Sequence, residues 1–130
     1  MEIWINPACS TCRGALAVLD AEGAEYTVRR YLEDVPSEDE IREVLGRLGL
    51  EPWEIARTAD PSAGEGGLRE LPREATDAAR GRWIAHLAAH PALIQRPIIT
   101  AADGTAVVAR SEEAVREALG RTGRAPELPA

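Results

Sequence analysis

At 130 residues, with 45% apolar and 28% charged side chains, the chain has the composition of one soluble globular domain, not of a disordered or fibrous protein. No apolar run approaches the ~20 residues a membrane-spanning helix needs. No basic region leads into a long apolar stretch at the N-terminus, so a cytoplasmic protein with reduced thiols is expected. The formal charge of −7 at pH 7 argues against nonspecific nucleic-acid binding, which relies on a basic surface. All fifteen positive residues are arginine. A GC-rich genome is the bland explanation of the bias; the functional alternative for a few of these residues is that arginine suits bidentate oxyanion contacts.

Glu2 to Ile5 reads as a buried strand that stops at Asn6-Pro7. Cys9 and Cys12 follow with two residues between them, and Gly14-Ala15-Leu16-Ala17-Val18-Leu19 reads as helix. This is strand, sharp turn, helix N-terminus, with Cys9 in the turn. A helix N-terminus offers unpaired N–H groups and the positive end of the macrodipole, so it favours a thiolate and can hold an oxyanion. A free cysteine titrates near ~8.5, and at such a position the value falls to roughly 3.5–7.5. Cys12, Ala15, Leu16 and Leu19 fall at i, i+3, i+4, i+7, which sends Cys12 toward the core and leaves Cys9 at the exposed cap. In a reducing compartment a pair this close points to redox chemistry, metal binding or catalysis. A metal needs further ligands, and His86 and His90 lie far along the chain, so no metal site is expected.

Gly23 ends this first helix. Tyr26 to Tyr31, rich in β-branched and aromatic residues, reads as a second strand, parallel to the first after so short a crossover. Ser37-Glu38-Asp39-Glu40 has the form of a capping box. Ile41, Val44, Leu45 and Leu48 continue at helical spacing, and Gly49 closes the segment. Pro52 to Ala56 reads as one further helical turn. The stretch 58–67 is the clearest loop, a candidate lid or a tolerated insertion. The next helical region starts at Pro72 or Thr76 and runs to about Ala89, with Trp83, Ile84 and Leu87 as its apolar face, before His90-Pro91. Arg96 to Thr100 and Thr105 to Ala109 are two short strands joined at Asp103-Gly104, a hairpin signal. Ser111-Glu112-Glu113 caps a last helix, with Val115, Ala118 and Leu119 inward.

The order is β-α-β, then helices, then a β-hairpin and a final helix. This is the plan of an α/β, thioredoxin-like fold with a mixed four-stranded sheet and a helical insertion between its halves. Residues 1–120 are expected to form a single domain, the insertion spanning about 37–92, with 121–130 as a flexible tail.

Four features point further: the Asn6-Pro7-Ala8-Cys9 turn, Arg57 before the loop, Leu93-Ile94-Gln95-Arg96-Pro97-Ile98 entering the third strand, and Arg110-Ser111-Glu112 leaving the fourth. Together they resemble the glutaredoxin-dependent arsenate reductase family and its relatives, the Spx-type regulators, from about residue 2 to 119. The resemblance implies a thiol-dependent oxidoreductase that reduces arsenate to arsenite. Cys9 would be the nucleophile, Arg57, Arg96 and Arg110 would hold the oxyanion and steady the thiolate, Asn6 would shape the turn, and Pro97 would be the cis-proline beside the reactive cysteine. It also implies no bound cofactor. Glutathione or another small thiol would serve as co-substrate, and glutaredoxin or thioredoxin as partner. No nucleic acid or membrane would take part.

Two departures from the family pattern bear on mechanism. Cys12 stands where the better-known reductases have another residue, so it is a candidate second catalytic thiol able to close an internal disulfide, with a small buried hydrophobe as the alternative. Ile5 stands where some reductases carry histidine just before Asn-Pro, which removes a nearby proton acceptor. The competing readings are a different thiol oxidoreductase on the same scaffold and an Spx-like redox-sensing protein that binds RNA polymerase.

Overall fold

The structure is a computed structural model of the chain and describes residues 1–58 and 70–121. In chain order it contains β1 (Glu2–Ile5), α1 (Ser10–Ala21), β2 (Thr27–Arg30), α2 (Glu38–Leu48), a 3₁₀ turn at Pro52–Glu54, α3 (Asp77–Ala89), a second 3₁₀ turn at Pro91–Leu93, β3 (Ile98–Thr100), β4 (Ala106–Val108) and α4 (Glu112–Leu119). The candidate loop at 58–67 lies, apart from Thr58, outside the described residues, as does the tail beyond Arg121. The strands form one sheet in the order β2-β1-β3-β4. β3 runs antiparallel to both β1 and β4, with Ile3 opposite Ile99 and Ile99 opposite Val107. The second strand is shorter than the β-branched pattern suggested. Tyr31 drops out of it and is fully buried instead, its hydroxyl donating to the Ile94 carbonyl.

Contacts divide the chain into two units. The first comprises Met1–Arg29 with Arg96–Ala130, and the second Arg30–Gln95. In the first, Ile3, Ile5 and Ile99 line one face of the sheet and pack with Cys12, Ala15 and Leu19 of α1 and Val115 and Ala118 of α4. The period-2 alternation of β1 meets the i, i+3, i+4, i+7 stripe of α1 here, which is what each pattern requires for burial. Trp4 points to the other face, where its indole N–H donates to Glu2 at 2.8 Å and the Arg29 guanidinium lies 5.3 Å over the ring.

The helix ends follow their sequence signals. Ala24 N–H donates to the Leu19 carbonyl and Gly23 N–H to that of Asp20, with Gly23 at φ +67°. This closes α1 in a left-handed turn that a side chain would strain. The last helix is capped by Ser111 Oγ, which accepts from Ala114 N–H at 3.1 Å. Val115 and Ala118 are buried, whereas Leu119, expected inward, is only partly so.

In the second unit Ser37 and Glu40 exchange both hydrogen bonds of a capping box at 3.1 Å. The segment expected as a helical turn at Pro52 to Ala56 is a 3₁₀ turn ending at Glu54. Thr76, not Pro72, caps α3, its side chain accepting from Ala79 N–H at 3.2 Å. Trp83, Ile84 and Leu87 are buried, and Trp53 meets Trp83 edge-on. Among the described residues no helix is long and apolar enough to cross a membrane.

Candidate active site

Cys9 is the N-cap of α1, in extended backbone, and its own N–H donates to the Asn6 carbonyl at 2.9 Å. The Asn6 side-chain oxygen accepts from Ala8 N–H at 3.0 Å. An asparagine bonded to the backbone two residues on is a turn in itself. It converts the end of β1 into the entry of α1 and leaves the Cys9 side chain at the helix mouth. Cys9 is partly exposed, whereas Cys12, one turn into the helix, has no accessible surface.

The two thiols titrate in opposite directions. Partial burial acts to raise Cys9, but the Cys12 N–H, the Arg96 side chain, the Cys12 thiol and the Thr11 N–H outweigh it and hold Cys9 at about 6. The Cys9 sulfur makes no tight capping bond to the first turn; the N–H groups of residues 11 and 12 stabilise its negative form by pointing positive dipoles toward it. Cys12 is pushed up to about 11, first by burial and then by the neighbouring Cys9 thiolate, against the opposing Asn6 N–H and Arg96 charge. One sulfur is poised as a thiolate at neutral pH and its neighbour holds its proton. No histidine precedes Asn6; Ile5 fills that position and is buried. Cys9 is thus lowered without a proton acceptor in the turn.

Sheet register explains why Arg96 is here. Ile98 pairs with both Trp4 and Val108. Carried two residues outward, these registers set Arg96 beside Asn6 on one side and beside Arg110 on the other. Two bonds agree with this placement: Ala109 N–H donates to the Pro97 carbonyl at 2.9 Å, and Arg110 Nη1 donates to the Arg96 carbonyl at 2.6 Å. The Arg96–Pro97 peptide bond is cis. Cys9, Cys12, Asn6, Arg96, Pro97 and Arg110 all belong to the first unit. Arg57 belongs to the second. There it is half-buried, and its N–H donates to the Leu93 carbonyl at 2.7 Å beside an antiparallel bridge between Ala56 and Ile94.

A thiolate next to a guanidinium at a helix mouth is suited to attack on an electrophilic centre that carries negative oxygens. The model of the ArsC family matches residues 4–118.

The chain belongs to the ArsC family.

It is 70% identical over 121 residues, 93% of its length, to the whole of a Streptomyces viridochromogenes protein described as an uncharacterized protein in the glnII region. It is 34% identical over 120 residues to an arsenate reductase of Neisseria meningitidis, covering 92% of this chain and 97% of that one. Among solved structures, an arsenate reductase from Vibrio cholerae superposes with a TM-score of 0.78 at 35% identity, covering 92% of this chain and 98% of that one. The thioredoxin-like architecture expected from the element order is therefore the architecture of this ArsC-family chain.

Thr11 was not singled out by its residue type, because a backbone N–H carries no residue-specific signal. Its place two residues after an N-cap was the available clue. Arg13 is exposed, its Nη1 donating to the Pro7 carbonyl at 3.5 Å. It braces the turn. His86 and His90 stack at 4.6 Å in the second unit, and among the described residues no group of three or more His, Cys, Asp or Glu is placed to bind a metal.

Proposed function

We propose that the protein reduces arsenate to arsenite, with Cys9 as nucleophile and thiols as the source of electrons. The observation that carries this reading is the Cys9 thiolate, held at about 6 at the mouth of α1 with the Arg96 side chain against it, in a chain of the ArsC family.

Arsenate is a tetrahedral anion, and a thiolate approaching it meets like charge. Guanidinium groups offset that repulsion, each charge-assisted hydrogen bond contributing roughly 1.5–3 kcal/mol. Arg96 and Arg110, joined through the Arg96 carbonyl, are assigned to the oxyanion. Arg57 is assigned to it by family resemblance alone. Attack by Cys9 expels water from protonated arsenate and leaves a Cys9–arsenic(V) bond. A second thiol then bonds to the Cys9 sulfur while the sulfur–arsenic pair passes to arsenic, which departs as arsenic(III). The second thiol is glutathione or a similar molecule, or Cys12; glutaredoxin or thioredoxin returns Cys9 to the thiolate.

The test is arsenite release from arsenate with glutathione plus glutaredoxin, or with thioredoxin, for the wild type and for Cys9→Ser, Cys12→Ser and Arg57→Ala. Loss with Cys9→Ser alone assigns the external thiol as electron donor. Loss with both cysteine variants assigns the internal disulfide. An unchanged arsenate KM in Arg57→Ala removes that residue from the oxyanion set. No release in any system, with RNA polymerase retained by the immobilised chain, replaces the enzyme by a redox-sensing regulator.

A further inference from the structure

Cys9 and Cys12 are both free thiols, at the same end of α1. Cys12 has no accessible surface and sits in the cluster with Ile3, Ile5, Ala15 and Leu19, and partly buried Cys9 packs against that cluster. Three contacts fix the two sulfurs. The Asn6 N–H donates to the Cys12 sulfur, the Cys12 thiol bonds the Cys9 sulfur, and the Arg96 side chain lies against Cys9. Cys12 is thus closed to solvent while its sulfur touches that of Cys9.

Two sulfurs in contact suit a soft, thiophilic centre. Zinc is a poor fit, because it takes a tetrahedral set of ligands, and among the described residues no third Cys, His, Asp or Glu joins the pair. Trivalent arsenic fits better. It is pyramidal, so a pair of sulfurs and one hydroxyl complete it. Arsenite is also uncharged near neutral pH. The guanidinium groups that suit an arsenate anion therefore give it little hold, and sulfur gives it a strong one.

We propose that Cys9 and Cys12 together form a binding site for trivalent arsenic, so that arsenite closes a dithiol chelate on the reduced chain and blocks Cys9 against further arsenate. The proposal rests on the arsenate-reduction reading only for the source of the arsenite. The Cys9 thiolate displaces one hydroxide from arsenic, which takes a proton from solvent and leaves as water. Cys12 displaces a second hydroxide, which leaves as water with the Cys12 thiol proton. Sulfur–arsenic bonds replace oxygen–arsenic bonds, arsenic stays trivalent, and no electron moves. The second bond forms within one molecule, at an effective concentration on the order of mM or higher. That separates this pair from a lone cysteine. Burial sets the order of events: arsenic bonds Cys9 first, because Cys12 is reached only through it.

The probe is sodium arsenite, titrated into the intact chain kept reduced by a water-soluble phosphine, which brings no competing thiol. The initial rate of Cys9 alkylation by iodoacetamide is read at each concentration for the wild type, Cys12→Ser and Cys12→Ala. Each rate is taken relative to the same protein without arsenite, and circular dichroism checks that each variant is folded. Arsenite should protect Cys9 in the wild type, and the concentration that halves the rate should rise about tenfold or more in both variants. X-ray absorption at the arsenic edge should find a pair of sulfurs on the arsenic bound to the wild type, a measurement that needs no variant. Equal protection in a folded variant, no protection at millimolar arsenite, or a single sulfur on the arsenic overturns the chelate. If no thiol supports arsenite release from arsenate but added arsenite still takes both sulfurs, the reduction reading falls and the dithiol site stands. If release proceeds and added arsenite takes only one sulfur, the site falls and the reduction reading stands.

Discussion

Cys9 and Cys12 are the same side chain three residues apart, and their environments separate them by several pH units: about 6 for one and about 11 for the other. The rate of Cys9 alkylation by iodoacetamide should therefore rise with a midpoint near 6, and a midpoint near the free-thiol value of about 8.5 would contradict the site described. In Arg96→Ala the midpoint should move up, and in the proposed reaction the arsenate KM should rise with it. An unchanged pair of values would detach Arg96 from Cys9. Stability carries the same signature. Cys9 is depressed in the folded state, so its thiolate stabilises the fold fully above the unfolded thiol's pKa, and that contribution is lost as pH falls through about 6. Cys12 is raised, so its protonated form stabilises the fold below the unfolded pKa, and that contribution is lost as pH rises toward about 11. The reduced wild type should gain melting temperature between pH 6 and 8 relative to Cys9→Ser, measured by thermal circular dichroism. No gain would mean the thiolate is not preferentially bound by the fold.

At the scale of elements, each helix is positioned by a cap and held by a stripe. Ser37→Ala removes the hydroxyl that accepts from Glu40 N–H, leaving only the Ser37 N–H bond to the Glu40 carboxylate, and should cost about 1 kcal/mol in urea denaturation. Leu19→Ala removes a fully buried side chain from the core that carries α1 and should cost about 2–5 kcal/mol. It should also broaden the alkylation profile of Cys9, because α1 supplies the N–H groups that lower that thiol. These elements were legible in the sequence because their signals are local. Ser37, Thr76 and Ser111 each precede a helix they cap, and Asp103-Gly104 sits at the hairpin with Gly104 at φ +86°. Where the local signal was ambiguous, packing settled it. Tyr26 to Tyr31 reads as strand throughout, yet only Thr27–Arg30 pairs, since Tyr31 gains more by full burial with its hydroxyl on Ile94. Where a longer helical turn was expected, the chain closes a 3₁₀ turn at Pro52–Glu54, with Glu54 N–H donating to the Glu51 carbonyl and Glu51 N–H to the Glu54 carboxylate.

For the whole molecule, the contrast is between an acidic chain and a cationic site. The chain carries a net charge of −7 while Arg96 lies against the Cys9 sulfur, so in the proposed reaction the anion is held by fixed local donors, not by the overall field. Duplex DNA should accordingly show no binding in a filter assay near physiological salt, and retention there would contradict the exclusion of nonspecific nucleic-acid binding drawn from the net charge.

That Cys9 stands at a helix mouth and that Cys12 points inward could be read from the chain alone, since both follow from a turn signal and a 3.6-residue stripe within a dozen residues. It also carried Arg96-Pro97 and Arg110 as recognisable motifs. Of the three arginines that the motifs single out, the fold shows Arg96 to be the one against the sulfur. That choice depends on the β1–β3–β4 register, and strand pairing joins segments far apart in the chain through backbone bonds that carry no residue-specific mark.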